Sequence, residues 1–464
     1  MITLEQVLAW TEGRCDREIE KQDNIDFTGV NTDTRTIQAG ELFIALRGEH
    51  FDGRAYAAQA VAKGAAGVVA SREVELEAEV PVIRVADTLK AYQDIAHGYR
   101  MSFPELKVVA ITGSNGKTST KDMVATALSA RYRVVKTQAN FNNEIGLPRT
   151  LLSIRPDTEI AVVEMGMRGL GQIREMCAIA RPDVGLITNV GSTHIGELGS
   201  LENIAKAKSE ILEDLPEDGL AVLNGDLELV RGMEGKLHTP AVWFGMRPED
   251  DVQADRVEIT AEGSSFRCLL KEKGAVKEEA AVRIPQIGEH NVMNALSALA
   301  VGRHFGVKLN DMVNALATGT LTGNRQEVLR FGGFTVVNDA YNASPASMEA
   351  AFATLKRLKE PAPASRTIAV LADMLELGDT SAEAHASVGR MAVEADTDFL
   401  LAYGSEAVHM VDEAVRLGGD ARHFTDREAA AAALEKILQP GDIVLLKGSH
   451  SMGVSGIIDR VFKK

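Results

Sequence analysis

Cysteine is scarce: three residues in 464, Cys15, Cys177 and Cys268, an odd number with no close pair. That spacing excludes a disulfide framework and a zinc knuckle and leaves three reduced, space-filling thiols. Long apolar runs are missing as well. No stretch approaches the roughly 20 residues that span a bilayer, and the opening MITLEQVLAW has no basic segment ahead of an apolar one, so work in the cytoplasm is expected. A basic surplus is also absent, because 50 Lys and Arg stand against 66 Asp and Glu, a formal net charge of −16. Such a field repels a nucleic-acid backbone, which removes nucleic acid from the expected partners; an anionic ligand must be gripped by local groups. No repeat of fixed period and no low-complexity tract is present.

What the chain has is the composition of an ordinary globular protein, 45% hydrophobic and 25% charged, and enough length for about three domains at roughly 150 residues each. ELFIAL, AAGVVA and the helix-like GRAYAAQAVAKGA make residues 1–100 a small α/β domain. MSFPELK, residues 101–107, reads as a linker. Over residues 101–320 the runs VVAIT, IAVVEM, VGLITNV and GLAVLN alternate with helical stretches, the pattern of a mostly parallel sheet. Residues 321–464 repeat that pattern with FTVVNDA, TIAVLAD, DFLLAYG and DIVLLKGS. The expected fold class is therefore α/β with three domains: a small amino-terminal one, a central P-loop ATPase-like one and a Rossmann-like carboxyl-terminal one.

The chemistry concentrates in VVAITGSNGKTSTKDMV, residues 108–124. A buried strand, a loop of Gly113, Ser114, Asn115 and Gly116, and a helix from Thr118 place backbone N–H groups around phosphate oxygens. Lys117 reaches a terminal phosphate, the Thr118 hydroxyl takes Mg²⁺, and Ser119 follows at the helix start. The spacing departs from the usual loop, because Ile111 stands five residues before Gly116 and Gly113 is the first glycine. Such a loop serves kinases, motors, switches and ligases alike. Glu164 ends the strand EIAVVEMG at the edge where ligands bind such sheets, and its carboxylate suits Mg²⁺. His194, in LITNVGSTHIG, is either a second metal ligand or a loop imidazole. Asn291 and Asn294 lie three apart on one helical face of GEHNVMNALSALAVG, so both amides face one ligand edge, unless Asn291 only caps the helix. Asp339 ends the strand of VVNDAYNASPASM, positioned to bind ribose hydroxyls or to cap a turn.

ITGSNGKTST, VVEMGMR, NVGSTHIGELGS, AKAKSEIL, GEHNVMNAL, GNRQE and NDAYNASP follow one another in the order found in Mur ligases, and the chain resembles that family over nearly its whole length. Folylpolyglutamate synthase is a more distant relative. NNEIGLP, DAYNASP, KGSHSM and VNTDTRTIQAGELFIALRGEHFDG are most similar to the members that add D-alanyl-D-alanine to UDP-N-acetylmuramoyl-tripeptide. The resemblance implies ATP, two magnesium ions, an acyl-phosphate intermediate and a monomer with no membrane span. It implies that Lys117 and Thr118 hold phosphate and metal, that Glu164 and His194 serve magnesium, that Asn294, with Asn291, reads adenine, that Arg325 contacts phosphate and that Asp339 binds ribose. The family's carbamate-bearing lysine falls on Lys208 in AKAKSEIL, with Lys206 the competing position. Thr32, Asp33, Thr34 and Arg35 fall on the UDP-sugar motif, where the alternative is a turn with a surface arginine. Asn142, Asn143 and Glu144 fall near the tripeptide end, and Tyr341, Asn342, Lys447 and Ser449 in words that set this branch apart on the substrate side. Another amino-acid ligase of the family, folylpolyglutamate synthase, or a P-loop switch that hydrolyses ATP without making a bond remain the alternatives.

Overall fold

The computed structural model describes residues 1–16, 25–48, 51–77, 79–323 and 325–463. Glu49 and His50 of the amino-terminal motif and Asn324 of GNRQE lie outside them. The chain forms two compact units, one of residues 1–110, 132–166 and 172–183, the other of residues 111–131, 167–171 and 184–464.

In the first unit a five-stranded sheet runs in the order Arg14–Cys15, Val82–Arg84, Gly67–Ala70, Leu42–Ile44, Val30–Asn31. All its pairings are parallel except that of the edge strand Arg14–Cys15. Side chains alternate between faces with period two. Leu42, Ile44, Val69 and Ile83 pack with Tyr92 and Ile95 of the helix Thr88–Met101, while Phe43, Val68 and Ala70 pack with Ala57 and Ala60 of the helix Ala57–Ala62. Thr3 and Gln6 form a reciprocal capping box that starts the helix Leu4–Thr11. The unit also contains the parallel pair Val134–Lys136 and Ile160–Glu164.

The strand Lys107–Thr112 leads the chain toward the second unit, where the helix Lys117–Ser129 begins one residue earlier than the sequence suggested. Val184–Ile187, Leu220–Asn224 and Ala241–Gly245 pair in parallel. Beyond them Val252–Thr260, Gly263–Glu272 and Ala275–Ile284 form a long antiparallel ribbon that the reading of a mostly parallel sheet did not include. The helix Glu289–His304 starts at Gly288, so Asn291 is not its cap. A second sheet, in the order Glu327–Phe331, Phe334–Asp339, Ile443–Lys447, Thr367–Ala372, Phe399–Tyr403, Ala421–Phe424, is parallel apart from its first strand. Its core splits over the two faces, with Val337, Leu371 and Leu445 on one and Val336, Val370 and Leu446 on the other. Among the described residues no helix is long and apolar enough to cross a membrane.

Candidate active site

The glycine loop takes a shape that side chains would obstruct. Gly113 has φ +154°, and a Cβ there would stand 1.9 Å from Thr188 Oγ1; Gly116 has φ +78°, the left-handed region that favours glycine. The segment after the strand Val184–Ile187 holds the loop from below. Thr188 Oγ1 and Asn189 Nδ2 both donate to the carbonyl of Asn115, at 2.8 and 2.9 Å, while Asn189 Oδ1 accepts the Asn115 N–H at 2.9 Å. Ser114 Oγ exchanges hydrogen bonds with Gly191, 3.0 Å to its carbonyl and 2.8 Å from its N–H. LITNVG thus builds the loop, a role that sequence reading missed because it looked in that stretch only for His194. Since Asn189 already occupies two loop N–H groups, those of Ser114 and Asn115, the amides at the start of the helix are left to carry a phosphate.

Lys117 Nζ folds back onto the loop, donating to the Gly113 carbonyl at 2.7 Å. Its charge is felt at two further predicted positions. Lys208, on the helix Leu201–Ser209, is 2% exposed, and burial, then Lys117, drive its pKa well below the usual lysine range. Lys206, two residues earlier, is exposed, because the two point to different sides of the helix. Burial pushes the His194 imidazole down to about 4 against the pull of Glu376, with Lys117 and Lys208 adding to the fall, so the ring is neutral. The structure therefore gathers Lys117, Lys208 and His194 into one electrostatic neighbourhood.

Arg325 Nη2 donates to Thr118 Oγ1 at 2.8 Å, and its guanidinium lies 3.7 Å over the Tyr341 ring. Asn294 Oδ1 accepts from the Thr120 hydroxyl at 2.9 Å and its Nδ2 donates to Asn291 Oδ1 at 3.2 Å, so Asn294 braces the helix that follows the loop and Asn291 holds Asn294. Asp339 and Lys447 form a buried ion pair at 2.6 Å, and Lys447 also donates to the Asn342 carbonyl at 2.9 Å. Ser449 Oγ accepts the Leu375 N–H at 2.9 Å. From the same segment Ser344, not singled out by the sequence, caps the helix Pro345–Lys359 and donates to Asn115 Oδ1 at 3.2 Å. Ser119 is buried at the helix start.

In the first unit Glu164 is 2% exposed at the end of its strand, with one oxygen accepting from Asn142 Nδ2 at 2.8 Å. Asn143 Oδ1 receives the Gly146 N–H at 2.9 Å, and the Glu144 carbonyl that of Gln93 Nε2 at 3.2 Å. Arg35 is 86% exposed, and its guanidinium grips Asp33 through Nε and Nη2, which together with the Arg35 N–H holds that carboxyl down to about 2. Thr34 turns inward to Gln59, 2.9 Å away, and Thr32 is half-buried beside them.

Among the described residues no three His, Cys, Asp or Glu side chains cluster to hold a metal. Within the second unit the predicted set offers one hydroxyl (Thr118) and one imidazole (His194), while the carboxylate of Glu164 belongs to the first unit. That set fits a hard cation when Lys208 presents a carboxylate and repels one when it presents an ammonium.

Residues 26–100 match the Mur ligase family catalytic domain, 111–302 the Mur ligase middle domain and 324–450 the glutamate ligase domain of Mur ligases. A UDP-N-acetylmuramoyl-tripeptide–D-alanyl-D-alanine ligase of Bacillus subtilis is 38% identical over 93% of this chain and 92% of its own. The crystal structure of MurF from Acinetobacter baumannii superposes with a TM-score of 0.90 at 30% identity, covering 100% of this chain and 99% of that one. That of MurF from Thermotoga maritima in complex with ADP does so with 0.81 at 25% identity, covering 94% and 97%. With the glycine loop, the three-domain α/β layout and relatives matched nearly end to end, the chain belongs to the Mur ligase family.

Proposed function

We propose that the protein is an ATP-dependent ligase that joins D-alanyl-D-alanine to UDP-N-acetylmuramoyl-tripeptide, releasing ADP and phosphate, in the synthesis of peptidoglycan precursors. The activity comes from the relatives' names, and the observation that carries it is Lys117 at the phosphate loop together with the buried Lys208, whose pKa burial and Lys117 drive down. A carboxylate is a poor acyl donor because oxide leaves badly. An oxygen of the tripeptide carboxylate attacks the γ-phosphorus of ATP, the bond to ADP breaks, and an acyl phosphate forms. The neutral dipeptide amine then attacks the carbonyl carbon, phosphate departs with the former carboxylate oxygen, and the nitrogen loses a proton.

In this reading Lys117 and the N–H groups at the start of its helix stabilise charge on the transferring phosphoryl group. Arg325 adds to them by moving its fork from the Thr118 hydroxyl to phosphate. Thr118, Glu164, His194 and a carbamate on Lys208 would hold magnesium, which would neutralise phosphate charge. Burial and Lys117 lower the Lys208 pKa, the direction that favours the uncharged amine, which adds CO₂ with loss of a proton; the product's negative charge pairs with Lys117 where an ammonium would oppose it. Asn294 meets adenine through the second hydrogen of its amide, with Asn291 accepting the first and holding it in place, and Asp339 meets ribose. Tyr341, Asn342, Lys447 and Ser449 line the side of the incoming amine, Asn142, Asn143 and Glu144 that of the tripeptide. Thr32, Asp33, Thr34 and Arg35 take the UDP group, within a division into residues 1–100 for the sugar nucleotide, 101–320 for ATP and 321–464 for the amine.

With ATP, Mg²⁺ and UDP-tripeptide but no dipeptide, hydroxylamine is expected to trap a hydroxamate, because the acyl phosphate is an electrophile awaiting an amine. Absence of both hydroxamate and acyl phosphate by mass spectrometry contradicts the route. Arg35→Ala is expected to raise KM for the UDP-tripeptide about tenfold, the size of one charge-assisted hydrogen bond, and to leave KM for ATP within about twofold. Equal losses for the two substrates would remove Arg35 from the sugar-nucleotide side.

A further inference from the structure

Facing His194 is a residue that no sequence motif pointed to. Glu376 lies in the turn between the strand Thr367–Ala372 and the helix Ser381–Glu394. Its Oε2 stands 3.2 Å from His194 Nδ1, and its Oε1 accepts from Arg168 Nη2 at 3.1 Å. The two segments meet backbone to backbone, since a Cβ on Gly196 would stand 3.3 Å from the nitrogen of Gly378. His194 and Glu376 each have φ 65°, a left-handed conformation that few side chains adopt, so the backbone bends on both sides where the two residues meet. His194 Nδ1 is buried and makes no aligned hydrogen bond in this conformer, leaving the Glu376 carboxylate as the acceptor within reach.

We propose that Glu376 is a positioning residue for His194: by accepting the Nδ1–H it fixes the tautomer and ring orientation in which Nε2 offers its lone pair to a divalent cation. A metal-ligating imidazole needs its other nitrogen engaged in this way, or the lone pair points at random. Glu376 belongs to the carboxyl-terminal part and His194 to the central part, so the ligand is aimed only when the two loops are docked. Docking of the amine-side domain is thereby tied to completion of the metal site, before the dipeptide is used. The proposal rests on the reading of His194 as a metal ligand.

The test is Mn²⁺ binding to the enzyme–ADP complex, followed by electron paramagnetic resonance, which needs no turnover. Glu376→Gln keeps the shape and removes the charged acceptor. It is expected to weaken Mn²⁺ about tenfold or more, with ADP affinity in the absence of metal unchanged. Arg168→Gln breaks the other bond of Glu376 and is expected to leave Mn²⁺ affinity within about twofold. His194→Ala separates the two levels of the argument. If it weakens Mn²⁺ while Glu376→Gln does not, the positioning role is overturned; if neither variant has an effect, the metal-ligand reading of His194 falls instead. An Arg168→Gln loss equal to that of Glu376→Gln overturns the proposal too, since loop docking alone would then account for both.

Discussion

Lys117→Ala is expected to lower kcat by about a thousandfold, the upper end for loss of one preorganised charge-stabilising donor, while the thermal midpoint stays within about 2 °C. The asymmetry follows from where the ammonium sits. Its protein contacts include loop carbonyls, Gly113 at 2.7 Å and Ser114 at 3.4 Å. The loop itself is tied by Thr188, Asn189 and Gly191, which the substitution leaves in place. Chemistry is lost because nothing else in the loop brings a full positive charge to a phosphate. ADP formation at fixed enzyme concentration, read beside a melting curve, checks both halves. Near-normal turnover would end the phosphate-loop account, and a collapse of the melting curve would make Lys117 a structural residue.

Lys208→Ala is expected to lower activity by about a hundredfold or more, as expected for a lost metal ligand. Lys206→Ala is expected to stay within about twofold. The two lysines are two residues apart, yet one is 2% exposed and the other open to water. Lys208 is fully buried, so a melting curve read beside the activity separates lost chemistry from lost packing. Added acetate or propionate is expected to restore part of the activity of Lys208→Ala by supplying the missing carboxylate, and to do nothing for Lys117→Ala. Intact-mass analysis under CO₂ and after acidification reads the carbamate directly as a labile 44 Da, a mass that follows from adding CO₂. Full activity in Lys208→Ala would refute the carbamate, and inactivity in Lys206→Ala alone would move it by two residues.

These two lysines also mark where sequence reading stops. The strand, glycine loop and helix around Lys117 were legible because their signals are local: an apolar run, Gly113 and Gly116 in conformations that favour glycine, and helical periodicity. Glu164 and Asp339 were placed at strand ends for the same reason. Lys208 against Lys206 needed knowledge of which side of one helix is covered, and that is a tertiary fact. The ribbon of residues 252–284 was passed over because its outward positions are charged, as in RVEIT, so it lacks dense apolar runs; the left-handed turn at Lys273 and Gly274 was the available hairpin signal. Glu376 had no local mark at all, since Arg168 is 208 residues away in sequence. Asp339 and Lys447, 108 residues apart, were each read as facing a ligand, and their mutual ion pair emerged only from the fold.

The central claim is that ATP is used to turn a carboxylate into an acyl donor, and the fate of one oxygen atom tests it most directly. UDP-tripeptide labelled with ¹⁸O in its terminal carboxylate is incubated with ATP, Mg²⁺ and D-alanyl-D-alanine, and the released phosphate is weighed by mass spectrometry. The account predicts one labelled oxygen in each phosphate, one amide product for each ADP, and no sustained ADP release when either the tripeptide or the dipeptide is left out. Phosphate without the label, its fourth oxygen drawn from water, or ADP released at the same rate without the two substrates, would contradict it and make the protein a nucleotide hydrolase.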